Sequence, residues 1–289
     1  MKETFGKFCR LTQVKAFLWP LFSALLMGFL VGGVKELSLI FPFMAGFLFG
    51  EAALFSYASI EEAPLDVLEE GRNLDNPIAK GQLSIRQARI LGAVSALFSI
   101  LLAGISSAKT ILVLTILFVF GGIYFHHSLK LRQNPLLDNL GFVFLVGILP
   151  FFGALCLGRP EMIDKVLPPG ALVCVLAFGI YLSSALNFQE EKRLPSLSKV
   201  PFLLLITSYA VLVLSIYTFM FSSLVPPWVA VLLSLVFAIL SFPLISHRRG
   251  IQAGTFLHAL LAVFQKALVI ALATFTLVPP IIEWIRSLL

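Results

Sequence analysis

The sequence contains few charged residues. Only 12% of its 289 residues are charged and 59% are hydrophobic, and the mean hydropathy is +0.98. A soluble domain carries roughly 25% charged residues, most of them on its surface. The composition therefore excludes an ordinary soluble fold and favours a protein that crosses a membrane several times.

Cysteine is also scarce. Cys9, Cys156 and Cys174 are scattered, without the spacing of a metal or redox motif. The net charge of +6 is spread over loops rather than over a broad soluble face, so nucleic acid is not an expected partner. No cleavable signal is evident, because the first apolar run is about 20 residues long and a second follows at once.

Long apolar runs are abundant. A bilayer core needs about 20 apolar residues per helix. The runs are continuous and rich in Leu and Phe rather than alternating, which predicts an all-α membrane protein and not a barrel. We expect about nine transmembrane helices in a single domain over residues 1–289. The predicted spans are 14–33, 37–58, 88–107, 109–126, 137–157, 169–188, 200–221, 226–246 and 256–284.

The distribution of basic residues predicts the orientation. With the N-terminus inside, 15 of the 21 basic residues fall on the inner side and five on the outer side, and Lys266 lies within the last span. Basic residues favour the cytoplasmic side of a membrane. We therefore expect a multi-pass protein of the inner, cytoplasmic membrane, with both long polar loops, 59–87 and 187–199, facing the cytoplasm.

The first long inner loop is acidic. Glu62, Asp66 and Glu69 recur at helical spacing and so share one face, which Glu61 flanks. Ser59 and Glu62 have capping-box spacing, which predicts a helix over 60–70. Such a cluster is either a binding site for a divalent metal or an ordinary solvated helix face.

A polar stretch, "DNPIAKGQLSIRQA" at 75–88, closes this loop. Ser84 and Gln87 again have capping-box spacing, which predicts that the third span begins here. The stretch is therefore expected to turn the chain back into the membrane.

The second long inner loop, "LNFQEEKRLPSLSK", favours a metal-binding site over an ordinary solvated helix face as the explanation of the acidic residues. Asn187, Glu190 and Glu191 stand at the inner end of the sixth span. Mg²⁺ binds oxygen ligands and shares its coordination between a few carboxylates and substrate phosphates. Basic residues accompany both acidic clusters and a third inner loop. They are Arg72, Lys80, Lys130, Arg132, Lys192 and Arg193. Carboxylates for metal, cations for phosphate and an apolar interior together fit a lipid diphosphate.

Three stretches carry a resemblance to a known family. The segment that opens the third helix of the UbiA superfamily of intramembrane prenyltransferases resembles "DNPIAKGQLSIRQARIL". The superfamily's Tyr-containing, Lys/Arg-rich entry to the fifth helix resembles "YFHHSLKLRQNPLLDNLGFVFLVGILPFFGAL". Its second acidic motif resembles "LNFQEEKR". The resemblance implies nine helices around an apolar chamber, a cytoplasmic N-terminus and Mg²⁺ as cofactor.

The resemblance also implies a reaction, in which a polyprenyl group moves from an isoprenoid diphosphate to an aromatic or other lipid-soluble acceptor. The acceptor stays open, and a quinone precursor is one of the choices. The matched positions give a set of metal and catalytic candidates, which are Glu61, Glu62, Asp66, Glu69, Asn187, Glu190 and Glu191. The six basic residues named above are then the diphosphate ligands.

The sequence departs from the family at its motifs. The first motif, Asn-Asp-x-x-Asp-x-x-x-Asp, corresponds to Glu61, Glu62, Leu65 and Glu69, with Asp66 one place off. Asn76 stands where the family has Arg before the proline. In the second motif the matched positions hold Asn187, Glu190 and Leu194. The longer arm of Glu changes the geometry of an octahedral Mg²⁺ site. These departures keep a non-catalytic isoprenoid-binding protein open as an alternative, and a multi-span transporter as a weaker one.

Four further residues remain ambiguous in the sequence. Tyr124 either lines the chamber or belongs to the interfacial aromatic belt, and Asp138 either faces the chamber or caps a helix. His126 and His127 are adjacent, point about 100° apart on a helix and make a poor metal pair, so a solvated loop is expected for them.

Overall fold

The computed structural model consists of helices and turns, with no strand among the residues that it describes. These are residues 2–68, 76–129, 131, 135–158, 166–167, 169–175, 177–178, 266, 270, 273 and 276–286. The named helices are α1 (Lys2–Leu11), α2 (Val14–Gly32), α3 (Leu37–Leu68), α4 (Ile85–Ser106), α5 (Ala108–Phe125), α6 (Pro135–Val143) and α7 (Leu149–Leu155). A π-helical segment, Phe144–Ile148, joins α6 to α7.

The first five predicted spans are helices. Within the described residues, four helical stretches are long and apolar enough to cross a membrane, and a shorter apolar helix occupies Phe17–Gly32. The four are Leu37–Pro64, Ile85–Ser106, Ala108–Phe125 and Leu137–Leu155. The predicted spans 169–188, 200–221, 226–246 and 256–284 lie largely outside the described residues. The count of nine and the cytoplasmic N-terminus therefore stay predictions.

Phenylalanine rings form the centre of the bundle where α2, α3 and α5 meet. Phe55 of α3 stacks on Phe17 of α2 with ring centroids 4.9 Å apart, and it contacts Phe125 of α5 at 5.3 Å. All three side chains are buried. Offset and tilted ring pairs stabilise a core beyond the area that they bury, so these contacts fix the position of α3.

Small residues let α3 and α4 approach each other closely. The Ser99 hydroxyl of α4 donates a hydrogen bond of 2.8 Å to the backbone carbonyl of Gly46 on α3. A Cβ added at Gly50 would lie 3.1 Å from the Ser99 oxygen. The opposite face of α4, with Leu97, Leu101 and Ile105, is exposed. Small residues and hydroxyls at the contact are typical of helix pairs in membranes, so α4 lies at the periphery with its large side chains towards lipid.

The helix predicted over 60–70 is present as far as Leu68, but the prediction of its start at Ser59 is wrong. The structure has one helix from Leu37 through Leu68. The Ser59 hydroxyl donates to the backbone carbonyl of Leu11 at 2.7 Å instead of capping a new helix. The second predicted cap is confirmed, because Ser84 and Gln87 form a reciprocal capping box at the start of α4.

Candidate functional site

The acidic residues of the first inner loop lie on the last turns of α3. Glu62 and Asp66 are four residues apart and therefore lie on neighbouring positions of one face, whereas Glu61 points about 100° away from Glu62. The α3 face of Glu62 also carries Ala58 and Phe55, which are buried in the bundle. The carboxylates of Glu62 and Asp66 thus stand at the end of a face that continues into the bundle interior.

Glu61 has a different environment from Glu62. Its carboxylate lies 3.7 Å from the Nδ1 atom of His126, at the end of α5. The same His126 nitrogen lies 3.1 Å from the Tyr57 hydroxyl, one turn before Glu61 on α3. The side chain of His126 is 49% exposed, so this position is solvated as predicted, while the side chain of His127 lies outside the described residues. The contacts of His126 with α3 were not predicted, and they tie α5 to the acidic end of that helix.

Asn76 connects the acidic end of α3 to the turn that follows. Its Nδ2 atom donates to the Asp66 carboxylate at 2.8 Å and to the backbone carbonyl of Ser59 at 2.9 Å. Its Oδ1 atom accepts from the Ile78 backbone N–H at 3.0 Å. Asn76 is only 1% exposed. The residue that replaces the expected Arg therefore fixes one carboxylate oxygen of Asp66 and starts the turn.

The rest of the polar stretch is a tight turn before α4. The backbone N–H of Gln82 donates to the Pro77 carbonyl at 2.8 Å, and that of Gly81 donates to the Ile78 carbonyl at 2.9 Å. Gly81 has φ of 66°, a left-handed conformation that glycine adopts without strain. Lys80 lies in this turn and is exposed, on the side of the membrane where α3 ends.

Tyr124 and Asp138 are in direct contact. The Tyr124 hydroxyl donates to the Asp138 carboxylate oxygen Oδ1 and lies 2.9 Å from the Asp138 backbone carbonyl. Tyr124 is buried, and a Cβ at Gly141 would collide with its ring. Gly141 therefore allows the close approach of α6 to this ring. Asp138 stands in the first turn of α6, half-buried against α5.

Glu51 is a buried acid in the middle of α3 that the sequence reasoning missed. Its side chain is 0% exposed, and neither carboxylate oxygen has a hydrogen-bond partner in the described part of the chain. The signal was present in the sequence. Glu51 is the only charged residue of the predicted span 37–58, and an ionisable residue within a span is a functional candidate.

A groove of about 390 Å³ lies between α3, α4 and α5. Tyr57, Gly92 and Phe118 are among the residues around it. Tyr57 points roughly 140° away from Glu62 around α3. The groove therefore lies on the other side of α3 from the Glu62 and Asp66 carboxylates.

The remaining predicted site residues lie outside the described part of the chain. They are Glu69, Arg72, Lys130, Arg132, Asn187, Glu190, Glu191, Lys192 and Arg193. Within the described ranges, no three His, Cys, Asp or Glu side chains come together as a metal site. Glu62 and Asp66 supply hard oxygen donors, and one or two carboxylates are enough for Mg²⁺ when substrate phosphates complete its coordination. The donor set on α3 therefore fits Mg²⁺ bound together with a diphosphate.

Comparison with known proteins extends over most of the chain. The model of the UbiA prenyltransferase family matches residues 17–261. No curated protein matches the sequence.

Solved structures share the fold at low sequence identity. A UbiA homologue from Archaeoglobus fulgidus bound to GPP and Mg²⁺ has a TM-score of 0.63 and 20% identity, covering 91% of this chain and 99% of its own. The apo homologue from Aeropyrum pernix K1 has a TM-score of 0.65 and 18% identity, covering 88% and 98%. A digeranylgeranylglyceryl phosphate synthase has a TM-score of 0.66 and 11% identity, covering 95% and 99%.

Proposed function

The chain belongs to the UbiA prenyltransferase family, and from this premise we propose that it transfers a polyprenyl group from an isoprenoid diphosphate to an aromatic or other lipid-soluble acceptor. The observation that carries the proposal is the position of Glu62 and Asp66. Both carboxylates stand at the end of a membrane-spanning helix, on a face that runs into a phenylalanine-rich interior. A diphosphate head and an apolar tail need that combination.

The proposal assigns two groups of residues to the diphosphate end. Glu62 and Asp66, with Glu69, Asn187, Glu190 and Glu191, are the candidates to hold Mg²⁺, whereas Glu61, which the sequence also offered for the metal, lies beside His126 on another face of α3. Arg72, Lys80, Lys130, Arg132, Lys192 and Arg193 are the candidates to bind the diphosphate oxygens. The homologue bound to GPP and Mg²⁺ supports this donor and this metal. The cytoplasmic side is proposed for this end from the basic residues around it.

The side chains promote the reaction by handling charge and excluding water. Mg²⁺, when bound, neutralises charge on the leaving diphosphate. The basic side chains stabilise the same charge as the bond between C1 of the prenyl group and oxygen breaks, with the electron pair leaving on the diphosphate. The apolar interior keeps water away from the allylic cation. A nucleophilic atom of the acceptor then bonds to C1 and releases a proton.

In this scheme the acidic end of α3 is positioned by the contacts of His126 with Glu61 and Tyr57. Because His126 contacts both α3 side chains, it holds the end of α5 against the acidic end of α3. Asn76 helps to position Asp66 in the same way, since its side-chain amide donates to one carboxylate oxygen of that residue.

A transfer assay tests the proposal. Purified protein is reconstituted in liposomes that contain a bacterial lipid extract as the acceptor source, and receives labelled geranyl diphosphate with Mg²⁺. We expect label to appear in a lipid that carries no diphosphate. EDTA should abolish the transfer, and Glu62→Gln or Asp66→Asn should lower it at least about 100-fold.

The matched control is Glu36→Gln, which neutralises an exposed acid next to the other end of α3 and should leave the transfer unchanged. Binding of labelled geranyl diphosphate without any transfer would contradict catalysis and favour the non-catalytic isoprenoid-binding alternative.

A further inference from the structure

Glu51 is the exception among the buried polar side chains of α3. Ser56 donates to the backbone carbonyl of Ala52 at 2.7 Å, and Ser59 donates to that of Leu11 at 2.7 Å. Glu51 has neither oxygen paired within the described ranges, although it is 0% exposed. A buried carboxyl group without a partner is costly. Packing among the described residues therefore gives no reason for an acid at this position.

Helix geometry relates Glu51 to the diphosphate end of the proposed site. Glu51 precedes Glu62 by eleven residues in one uninterrupted helix. Eleven residues are about three turns plus 20°, a rise of about 16 Å along the axis. Glu51 and Glu62 therefore share one face of α3 at two depths in the membrane.

The residues between the two acids on this face are apolar. Ala58 and Phe55 follow Glu51 towards Glu62, and Phe47 lies one turn beyond Glu51. All three are buried, and Phe47 contacts Phe43 with ring centroids 5.0 Å apart. A prenyl tail that starts at Glu62 and follows this face passes Ala58 and Phe55 and then meets a carboxyl group.

We propose that Glu51 forms a polar stop in the tail pocket and selects donors whose prenyl tails end before it. The tail pocket here means the bundle interior along the α3 face from Ala58 to Phe47. The inference rests on the proposed function, because it takes the diphosphate to lie at Glu62.

The discrimination follows from solvation of the carboxyl group. A short tail leaves Glu51 able to form hydrogen bonds with water in the unfilled part of the pocket. A tail that reaches Glu51 excludes that water and offers only methyl groups in exchange. The lost hydrogen bonding of one buried carboxyl corresponds to an affinity difference of about 5- to 150-fold. This loss of affinity opposes the gain in affinity that each added apolar carbon of the tail otherwise brings.

The test measures affinity as a function of tail length in the full-length, detergent-solubilised protein. Dimethylallyl, geranyl, farnesyl and geranylgeranyl diphosphates are titrated with Mg²⁺ into the wild type, Glu51→Leu and Glu51→Gln. Ser56→Ala is the matched control, because Ser56 is buried on the same helix about 140° around from Glu51. Thermal unfolding of each variant verifies that it is folded.

We expect the wild-type affinity to rise with tail length and then to stop rising or to fall. The affinity of Glu51→Leu should continue to rise with tail length. Relative to the wild type, it should gain about tenfold or more for geranylgeranyl diphosphate and less than about twofold for dimethylallyl diphosphate. Glu51→Gln keeps a polar stop and should retain the wild-type order, as should Ser56→Ala. A gain that is equal at all lengths, or no gain, overturns the role of Glu51 and leaves the proposed function standing. If the wild type binds none of the four diphosphates, both the role of Glu51 and the proposed function are overturned.

Discussion

Asn76 shows at the scale of single residues how the acidic end of α3 is held. Its amide makes three hydrogen bonds, to the side chain of Asp66, the carbonyl of Ser59 and the N–H of Ile78. Because the side chain is 1% exposed, water cannot easily replace these bonds. Asn76 therefore couples the position of one candidate metal ligand to the turn that leads into α4.

Replacing Asn76 with Ala should destabilise the protein. The variant leaves buried polar groups without their partner, and such a loss costs about 1–3 kcal/mol. Asn76→Asp should cost more, because it places a second carboxylate against Asp66. Gln82→Ala, an exposed substitution in the same turn, should stay within about 0.5 kcal/mol of the wild type. Thermal unfolding in detergent measures all three, and an Asn76→Ala variant as stable as Gln82→Ala contradicts this role.

Part of the site was predictable from the sequence residue by residue. The shared face of Glu62 and Asp66 follows from helical spacing, and their position at the end of α3 agrees with it. The pairing of Glu61 with His126 was not predictable, because it depends on where the end of α5 meets α3. Glu51 was within reach of the sequence, since its eleven-residue separation from Glu62 is a helical period, but a single acid in an apolar run carries no motif.

At the scale of elements, the helical spans are the most predictable feature and their ends the least. Ser59 has the spacing of a helix cap, yet α3 continues through it because its hydroxyl bonds Leu11 of a neighbouring helix. The π-helical segment at Phe144–Ile148 was also not predicted. Leu149 donates its N–H to the Phe144 carbonyl five residues back, just before Pro150, which has no N–H to donate. Such local adjustments depend on tertiary contacts that periodicity does not contain.

Close packing of α2 against α7 gives a prediction about elements. A Cβ at Gly28 of α2 would collide with the Phe151 backbone oxygen and lie 2.8 Å from the Ala154 Cβ on α7. Gly28→Ala should therefore separate the two helices. Overpacking costs about 1–3 kcal/mol, which exceeds the helix-propensity gain of about 1 kcal/mol from Gly to Ala.

Gly104→Ala is the control for this substitution. Gly104 lies in α4, and its added Cβ meets nothing within 4 Å. The control should therefore be neutral or stabilising by up to about 1 kcal/mol. Thermal unfolding in detergent compares the two variants. If Gly28→Ala were as stable as Gly104→Ala, the close approach of α2 and α7 would be wrong.

At the scale of the whole molecule, composition and span layout predicted the class of protein. The part of the chain that the structure describes contains four helices long enough to cross a membrane. Together with the match to the UbiA prenyltransferase family over residues 17–261, they establish an integral membrane protein of this family. The sequence predicts that the acidic loops at 59–87 and 187–199 face the same side. Of these two acidic segments, the structure describes the first as far as the end of α3. The second, at 187–193, lies outside the described residues.

The central claim is that the acidic end of α3 binds an isoprenoid diphosphate together with Mg²⁺, and thermal unfolding tests it most directly. The purified protein is heated with geranyl diphosphate, with and without Mg²⁺. At a ligand concentration of 100 times the dissociation constant, binding should add about 2.7 kcal/mol to the free energy of unfolding. We predict that this stabilisation needs both components and is lost in Glu62→Ala. A folded protein whose unfolding temperature does not respond to any combination of the two would contradict the claim.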